Sequence, residues 1–433
     1  MHGAALRRRE FIEQAAAGVL LGVASRARVA KANERVRGAD ARRLARDETY
    51  WREIRQAFSV SRSVINLNNA GVCPCPRIVT NAVVDHIWEQ EKVPPHTAFT
   101  TRGPRMEVVR AKLARLFGCG AEEIAITRNA TESLQIVLLG VPLARGDEVL
   151  TTTHEYWAML NALEQRRRRD GIRVKKVDVP VPPRSPGALV RLFERGLTDR
   201  TKLILVSHPV NLTGQLFPVK RICELAHARG IEVIVDGAQS FGQLDYKQAD
   251  LGCDYFGTSL HKWLMAPKGT GMLFVRRNKI EKTWPLLPAS PDLIDNVRKF
   301  EAIGTAPATP LAIGEAIAFH NGIGAKRKEE RLRYLTHYWA KRLRALSGVR
   351  LHTSLDPRMS CAIATLQIRE LPPAAIVEHL WQKHRILTAN VSKRVPALKG
   401  VRVSPSLHNT IEELDHFCNV MEGIARRGLP AAG

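Results

Sequence analysis

Between about residues 63 and 290 the chain alternates short apolar runs with longer stretches of helical period. Short apolar runs bounded by turn residues predict strands, and apolar positions recurring about every 3.6 residues predict the helices between them. EIAITR (123–128), DEVLTTT (147–153), RVKKVDV (173–179), KLILVSH (202–208), IEVIVD (231–236), DYFGTS (254–259) and GMLFVRR (271–277) read as strands. TESLQIVLLG (131–140), a stretch running to about 170, and 218–229 read as helices. This alternation predicts an α/β fold with a mainly parallel central sheet covered by helices. The last two strands lie close together in sequence, which predicts an antiparallel strand at the sheet edge.

The pattern also divides the chain. Residues 1–32 read as a leader, the highly charged 33–62 as a helical arm, and 63–310 as a large domain. PLLPASPDL (285–293) is a Pro-rich break; long helices follow over 310–346. Residues 311–433 therefore form linking helices and a small C-terminal domain, with α+β character at 349–425. There are no internal repeats.

Composition changes this picture little. With 433 residues and 45% hydrophobic content, the chain can bury a sizeable core. The formal net charge of +24 raises nucleic-acid or anionic-surface binding as a class. The basic residues are scattered, however, apart from Arg166–Arg169, which reads as a solvated face late in a helix. No zinc-finger spacing, RNP1-like string or homeodomain-like helix is present, so specific nucleic-acid binding is not expected. The seven cysteines lack metal-site spacing. Cys73 and Cys75 are separated only by Pro74, too tight for an ordinary disulfide. They read as small buried hydrophobes, and no metal is expected.

The leader carries an address. RRREFI (7–12) precedes the apolar AAAGVLLGVA (15–24), and Ala30-Lys31-Ala32 offers a small-x-small site. Arg8-Arg9 followed by Phe11-Ile12 resembles a twin-arginine signal, with Arg7 where such signals carry Ser or Thr. The apolar run is too short to serve as a stable membrane anchor. The expectation is passage through the twin-arginine export machinery to the periplasm or the medium.

The candidate chemistry starts at Asp236, which ends the strand IEVIVD and precedes Gly237-Ala238-Gln239-Ser240. A carboxylate at the C-terminal end of a parallel strand points into the ligand crevice of an open α/β sheet. Twenty-six residues later TSLHKW supplies Lys262. The strings VDGAQS and SLHKW, in that order and spacing, resemble the class V aminotransferase family of fold type I pyridoxal-phosphate (PLP) enzymes. That family includes cysteine desulfurases, kynureninase and isopenicillin N epimerase. The resemblance covers about residues 63–425.

The resemblance implies roles. Lys262 would be the Schiff-base lysine and Asp236 the partner of the pyridinium nitrogen, the two catalytic residues. Gln239 would bond the ring's phenolic oxygen, and Ser259 and His261 the phosphate. Asn129-Ala130-Thr131, between a strand and a helix, would cradle the phosphate, as backbone N–H groups at a helix start can. Tyr156, in HEYWAM (154–159), would stack on the ring, with Trp157 as the alternative. Asn211, in HPVNLTG (208–214), would lie near substrate and cofactor. Gly304-Thr305, in FEAIGT (300–305), would reach the phosphate of a neighbouring subunit, making a homodimer with shared sites. Arg402, in RVSPSLHNT (402–410), would clamp the carboxylate of an amino-acid substrate.

HEYWAM, SLHKW and RVSPSLHNT look closest to the isopenicillin N epimerase-like branch. Epimerisation, transamination and β-elimination at an amino acid would use the same residues, so the expectation is transamination or epimerisation, with a C–S or other β-lyase as an alternative. No cysteine lies near Arg402 in sequence, which argues against a desulfurase. CPCP (73–76) follows NNAGV (68–72), where family members carry an active-site entrance loop. Two other classes remain: a non-catalytic binding module on the same fold, and a basic protein that binds an anionic surface.

Overall fold

The apolar runs of the large domain close into one seven-stranded sheet. The computed structural model describes residues 29–303, 307–392, 395 and 398–430. The strands are β1 (Ile124–Thr127), β2 (Glu148–Thr152), β3 (Arg173–Val177), β4 (Thr201–Ser207), β5 (Glu232–Asp236), β6 (Tyr255–Ser259) and β7 (Gly271–Val275). They lie in the order β1-β7-β6-β5-β4-β2-β3. Strands β2 to β6 run parallel, and β7 is antiparallel to both β6 and β1.

The sequence reading put the antiparallel strand at the edge; it stands second in, with β1 outside it. Every residue of GMLFV in β7 is buried. Such a strand makes a poor edge, and β1 covers it. Continuous apolar runs mark strands buried on both faces. In β4, Ile204 and Val206 face one core cluster while Leu203 and Leu205 face the other.

Helices fill both faces. Among them are α1 (Glu48–Arg55), α2 (Arg77–Lys92), α3 (Arg102–Phe117), α4 (Ala130–Gly140), α5 (Trp157–Asp170), α6 (Pro186–Gly196) and α7 (Val219–His227). Helix α3 packs Val109, Leu113 and Phe117 on one face of the sheet, and α4 packs Leu134, Val137 and Leu138 on the other. The arginine run departs from its expected solvated role at one position. Arg167, Arg168 and Arg169 are exposed and paired with Glu164 or Asp170. Arg166 shares the buried face of α5 with Ala162 and Leu163, and donates to Leu138 O (2.8 Å) and Val141 O (3.0 Å) at the end of α4. It satisfies carbonyls that the helix terminus leaves unpaired.

Two further helices, α8 (Ile313–Ile323) and α9 (Ala325–Arg344), lead to the small domain. They meet at Gly324, whose φ of +94° suits a residue without a Cβ. Strands β8 (Val349–Leu351), β9 (Ala364–Ile368), β10 (Ala389–Asn390) and β11 (Val401–Val403) form an antiparallel sheet in the order β10-β11-β9-β8. Helices α10 (Pro373–His384) and α11 (Ile411–Arg427) belong to the same domain. Ile65–Asn66 pairs with Ile386–Leu387, so the chain entering the large domain first touches the small one.

The arm is sewn onto α9. Tyr50, Trp51 and Ile54 of α1 are buried, and fully buried Arg331 of α9 lies over the Trp51 ring and pairs with Glu48 (2.5 Å). Residues 29–35 are helical and packed on this assembly, with Ala32 fully buried and Asn33 accepting a bond from Tyr50 Oη (2.7 Å). The triplet Ala30-Lys31-Ala32 thus lies in a packed helix. The twin-arginine motif and apolar run lie outside the described residues. No helix among the described residues is long and apolar enough to cross a membrane.

Candidate active site

Because β1 is parallel to β6, six strands bring their C-terminal ends to one edge of the sheet. The segments leaving five of them supply side chains to one cavity. Asn129 and Ala130 follow β1, Tyr156 follows β2, and Asn211 follows β4. Asp236 ends β5; Ser259, His261 and Lys262 end and follow β6. The cavity measures about 300 Å³ and is lined by these residues together with Thr131, Gln239 and Arg402. It therefore brings together every sequence-predicted site residue except Gly304 and Thr305, which lie outside the described residues. The chain reaches Ile303 beside Thr127 and Arg128 at the end of β1.

One end of the cavity is the start of α4. Asn129 caps the helix, its Oδ1 accepting from Glu132 N (3.0 Å). Ala130 N donates to Ser259 Oγ (2.9 Å), which ties the helix start to the end of β6. Gly271 begins β7 directly against this turn, and a Cβ there would stand 2.6 Å from the Asn129 backbone. Only glycine allows that approach. The positive dipole end at a helix N-terminus favours an anion.

The middle holds the ionisable pair. Asp236 is 7% exposed, and its Oδ1 accepts from Ala238 N (2.9 Å). Burial raises its carboxyl above the usual value, opposed by the nearby Lys262 and the Ala238 bond. Lys262 is half-buried; burial lowers it to about 8, opposed by Asp236 and assisted by Arg402. A lysine poised near neutrality can give and take a proton, which an ordinary lysine cannot do at that pH. Gln239 is oriented by two bonds: its Oε1 accepts from Trp263 Nε1 (2.8 Å) and its Nε2 donates to Ala70 O (2.9 Å). An amide NH₂ has two donors, so one N–H remains for a ligand.

The other end is Arg402 on β11. It is buried, and it donates to Asn211 O (2.8 Å) and Asn68 Oδ1 (2.7 Å). Its Nε has no partner among the described residues, and neither does His261 Nδ1. Burial lowers Arg402 to about 10, which still leaves it charged at neutral pH. Buried donors without partners mark where a ligand completes the set. Of the two candidate stacking residues, Tyr156 lines the cavity, whereas Trp157 is exposed on the first turn of α5.

Several neighbours were not singled out by the sequence. Ala70 and Gly71 line the cavity, and Asn68 holds Arg402. Their segment was legible only as an entrance loop. Buried Glu155 stands behind Tyr156, and fully buried Lys328 on α9 donates to Trp263 O. Neither shows a local signal, because each is buried by contacts distant in sequence. Cys73 is buried, as its reading as a small hydrophobe expects. The fold brings its thiol to Ser406, four residues beyond Arg402, at 3.9 Å. It is fully buried, pushed up to about 12, and does not line the cavity. Among the described residues no His, Cys, Asp or Glu cluster suits a metal ion, and all seven cysteines are free.

The family profile described as Aminotransferase class-V matches residues 65–417. An isopenicillin N epimerase from Amycolatopsis lactamdurans is 30% identical over 399 residues, 87% of this chain and 99% of that one. A probable cysteine desulfurase from Halalkalibacterium halodurans is 26% identical, covering 86% of this chain and 97% of that one. Among solved structures, a C-DES variant with glycine covalently linked to its PLP cofactor superposes with a TM-score of 0.76. It is 21% identical and covers 85% of this chain and 98% of that one.

Proposed function

The chain belongs to the aminotransferase class-V family, and on that premise we propose that it is a PLP-dependent enzyme acting at the α carbon of an amino acid, by epimerisation or transamination. The observation that carries this reading is the shared cavity of Asp236 and Lys262, set between a helix N-terminus and a buried arginine. The residues fit the cofactor. The start of α4, Ser259 and His261 suit its phosphate; Asp236 suits its ring nitrogen; the free N–H of Gln239 suits its phenolic oxygen; Tyr156 suits its ring face. Lys262 suits covalent attachment through its amine. When bound, PLP supplies an electron sink for charge developing at the substrate α carbon.

The protein's own groups do the rest. Arg402, with Asn211 beside it, holds the substrate carboxylate through charge-assisted hydrogen bonds. Lys262, once its amine is free, takes the α proton, and its lowered proton affinity suits that task. Asp236 keeps a proton at the ring nitrogen. Return of a proton to either face of the α carbon, or elsewhere, decides between the two reactions. Elimination of a β substituent needs no further residue and is the second reading. It is supported by the desulfurase-like relatives, but a thiol nucleophile is not part of it, since no cysteine among the described residues lines the cavity.

The test is incubation of the holoenzyme with L- and D-amino acids in deuterated water. Deuterium in both enantiomers identifies an epimerase, keto acid a transaminase, and a released β substituent a lyase. Absence of all three across the panel overturns the reading in favour of a binding module.

The proposal extends to assembly and location. A homodimer, with Gly304-Thr305 reaching the neighbouring site, is supported by the family and by exposed apolar residues on α2. Export by the twin-arginine route is supported by Arg8-Arg9 and the apolar run after it. The buried Ala32 argues against cleavage directly after it. Fractionation of cells expressing the chain with Arg8-Arg9 intact or as Lys-Lys checks this: retention inside the cell is expected only for the second.

A further inference from the structure

Behind the cavity wall stands a second carboxyl group. Glu155 is 4% exposed and lies between β2 and β4. Its Oε1 accepts from Thr152 Oγ1 (2.9 Å) and Ser207 N (3.3 Å), and its Oε2 meets Ser207 Oγ at 2.5 Å. Ser207 ends β4, lines the cavity, and stands opposite Asp236 in the sheet register. Glu155 itself does not line the cavity. A hydroxyl shared between a buried acid and a cavity can point either way. If the acid keeps its proton, it donates to Ser207 Oγ, whose own O–H is then free to face the cavity. If the acid is ionised, Ser207 must donate to it.

We infer that Glu155 is a positioning residue that stores a proton and, through Ser207, sets the charge and hydrogen-bond polarity beside Asp236. The inference rests on the reading above, in which Asp236 faces the cofactor's ring nitrogen. Burial, aided by the Asp236 charge and opposed by the Ser207 and Thr152 bonds, raises Glu155 to about 7. The other groups around it do not offset this. His154 and His208 are both held below the usual imidazole value by burial, so they stay neutral. The cations Lys262 and Arg402 lie with Asp236 around the cavity. As pH rises through about 7, Glu155 gains a negative charge. The Asp236 carboxylate then stands beside a second negative charge, and the pair holds the ring nitrogen's proton more tightly.

Two measurements test this. On the apoprotein, the infrared carbonyl stretch of a protonated carboxylic acid should fade as pH rises through about 7, and be absent in Glu155→Gln. On the holoenzyme, cofactor absorption should show a step over the same range that both Glu155→Gln and Ser207→Ala lose. The Ser207→Ala apoprotein should keep the infrared band, separating loss of coupling from loss of the acid, and thermal unfolding checks that both variants fold. Cofactor titrations identical in wild type and Glu155→Gln overturn the inference and leave the cofactor reading standing. An ionised Glu155 at pH 6 also overturns it. A wild-type protein that takes up no PLP overturns both.

Discussion

At the residue scale, Lys262 and Arg402 carry different parts of the proposed chemistry and should fail differently. Lys262→Ala removes the attachment point and the base at the α carbon. The visible absorption of lysine-linked PLP should vanish, and α-proton exchange should fall by about a hundredfold to ten-thousandfold, the usual worth of a positioned base. A band that survives the substitution places the attachment elsewhere. Arg402→Gln removes a charge-assisted clamp while leaving Lys262 in place. The expected result is a kcat/KM lower by roughly 10- to 100-fold, about 1.5–3 kcal/mol, carried mostly by KM. An unchanged KM would mean that Arg402 serves only Asn68 and Asn211, which it also holds. Asp236 and Lys262 were legible in the sequence because their signal is local: a strand end, a turn, and a fixed spacing. Glu155 was not, because nothing near it in sequence says that it is buried. The absence of cysteine near Arg402 was true along the chain, and the fold nevertheless brings Cys73 beneath Ser406.

At the scale of elements, α9 is the piece that couples the site to its support. Its Lys328 is fully buried and donates to Trp263 O, one residue past Lys262. Its Arg331, one turn on, is bound to the arm through Glu48 and Ala45 O. Burial lowers Lys328 to about 7, with Cys73 weakly opposing. Below that pH the folded and unfolded chains both carry the proton, and the cost of burying the charge is fully felt. Between about 7 and the ordinary lysine value near 10.4, the unfolded chain binds more protons. Stability should therefore rise with pH across that window, by up to about 1.4 kcal/mol per unit from this group. Lys328→Met should flatten the rise. Urea midpoints at pH 7 and pH 9 for wild type and variant measure it, and equal slopes would show that Lys328 keeps its ordinary affinity. Breaking the other contact is a plainer loss: Arg331→Ala leaves partly exposed Glu48 unpaired, and about 1–3 kcal/mol is expected in unfolding free energy. Seven strands and the arm helices could be read from periodicity. The order of the strands could not, since β7's inner place depends on β1 returning to cover it.

At the scale of the molecule, the described surface bears on the proposed dimer. Trp88 is 68% exposed and Phe99 81%, with Val84 and Ile87 exposed on the same helix, α2, as Trp88. Positions 84, 87 and 88 recur at helical spacing and so share one face. Trp284, Leu287 and Ile294 add further apolar exposure on the stretch leading to Ile303. Large exposed apolar side chains on one helix face support the proposed interface. In the proposed dimer, the α2 face would be buried and Gly304-Thr305 would reach the neighbouring site. Dimerisation and cofactor retention should therefore fail together. Trp88→Glu combined with Phe99→Glu should sediment as a monomer with its far-ultraviolet spectrum intact, and should lose PLP on dilution or dialysis far faster than wild type. If the proposed dimer forms, the wild type should show the same loss only on strong dilution. A variant that stays dimeric removes this face from the interface. A monomer that keeps its cofactor as firmly as wild type would show that each chain builds its phosphate site alone, from the start of α4, Ser259 and His261.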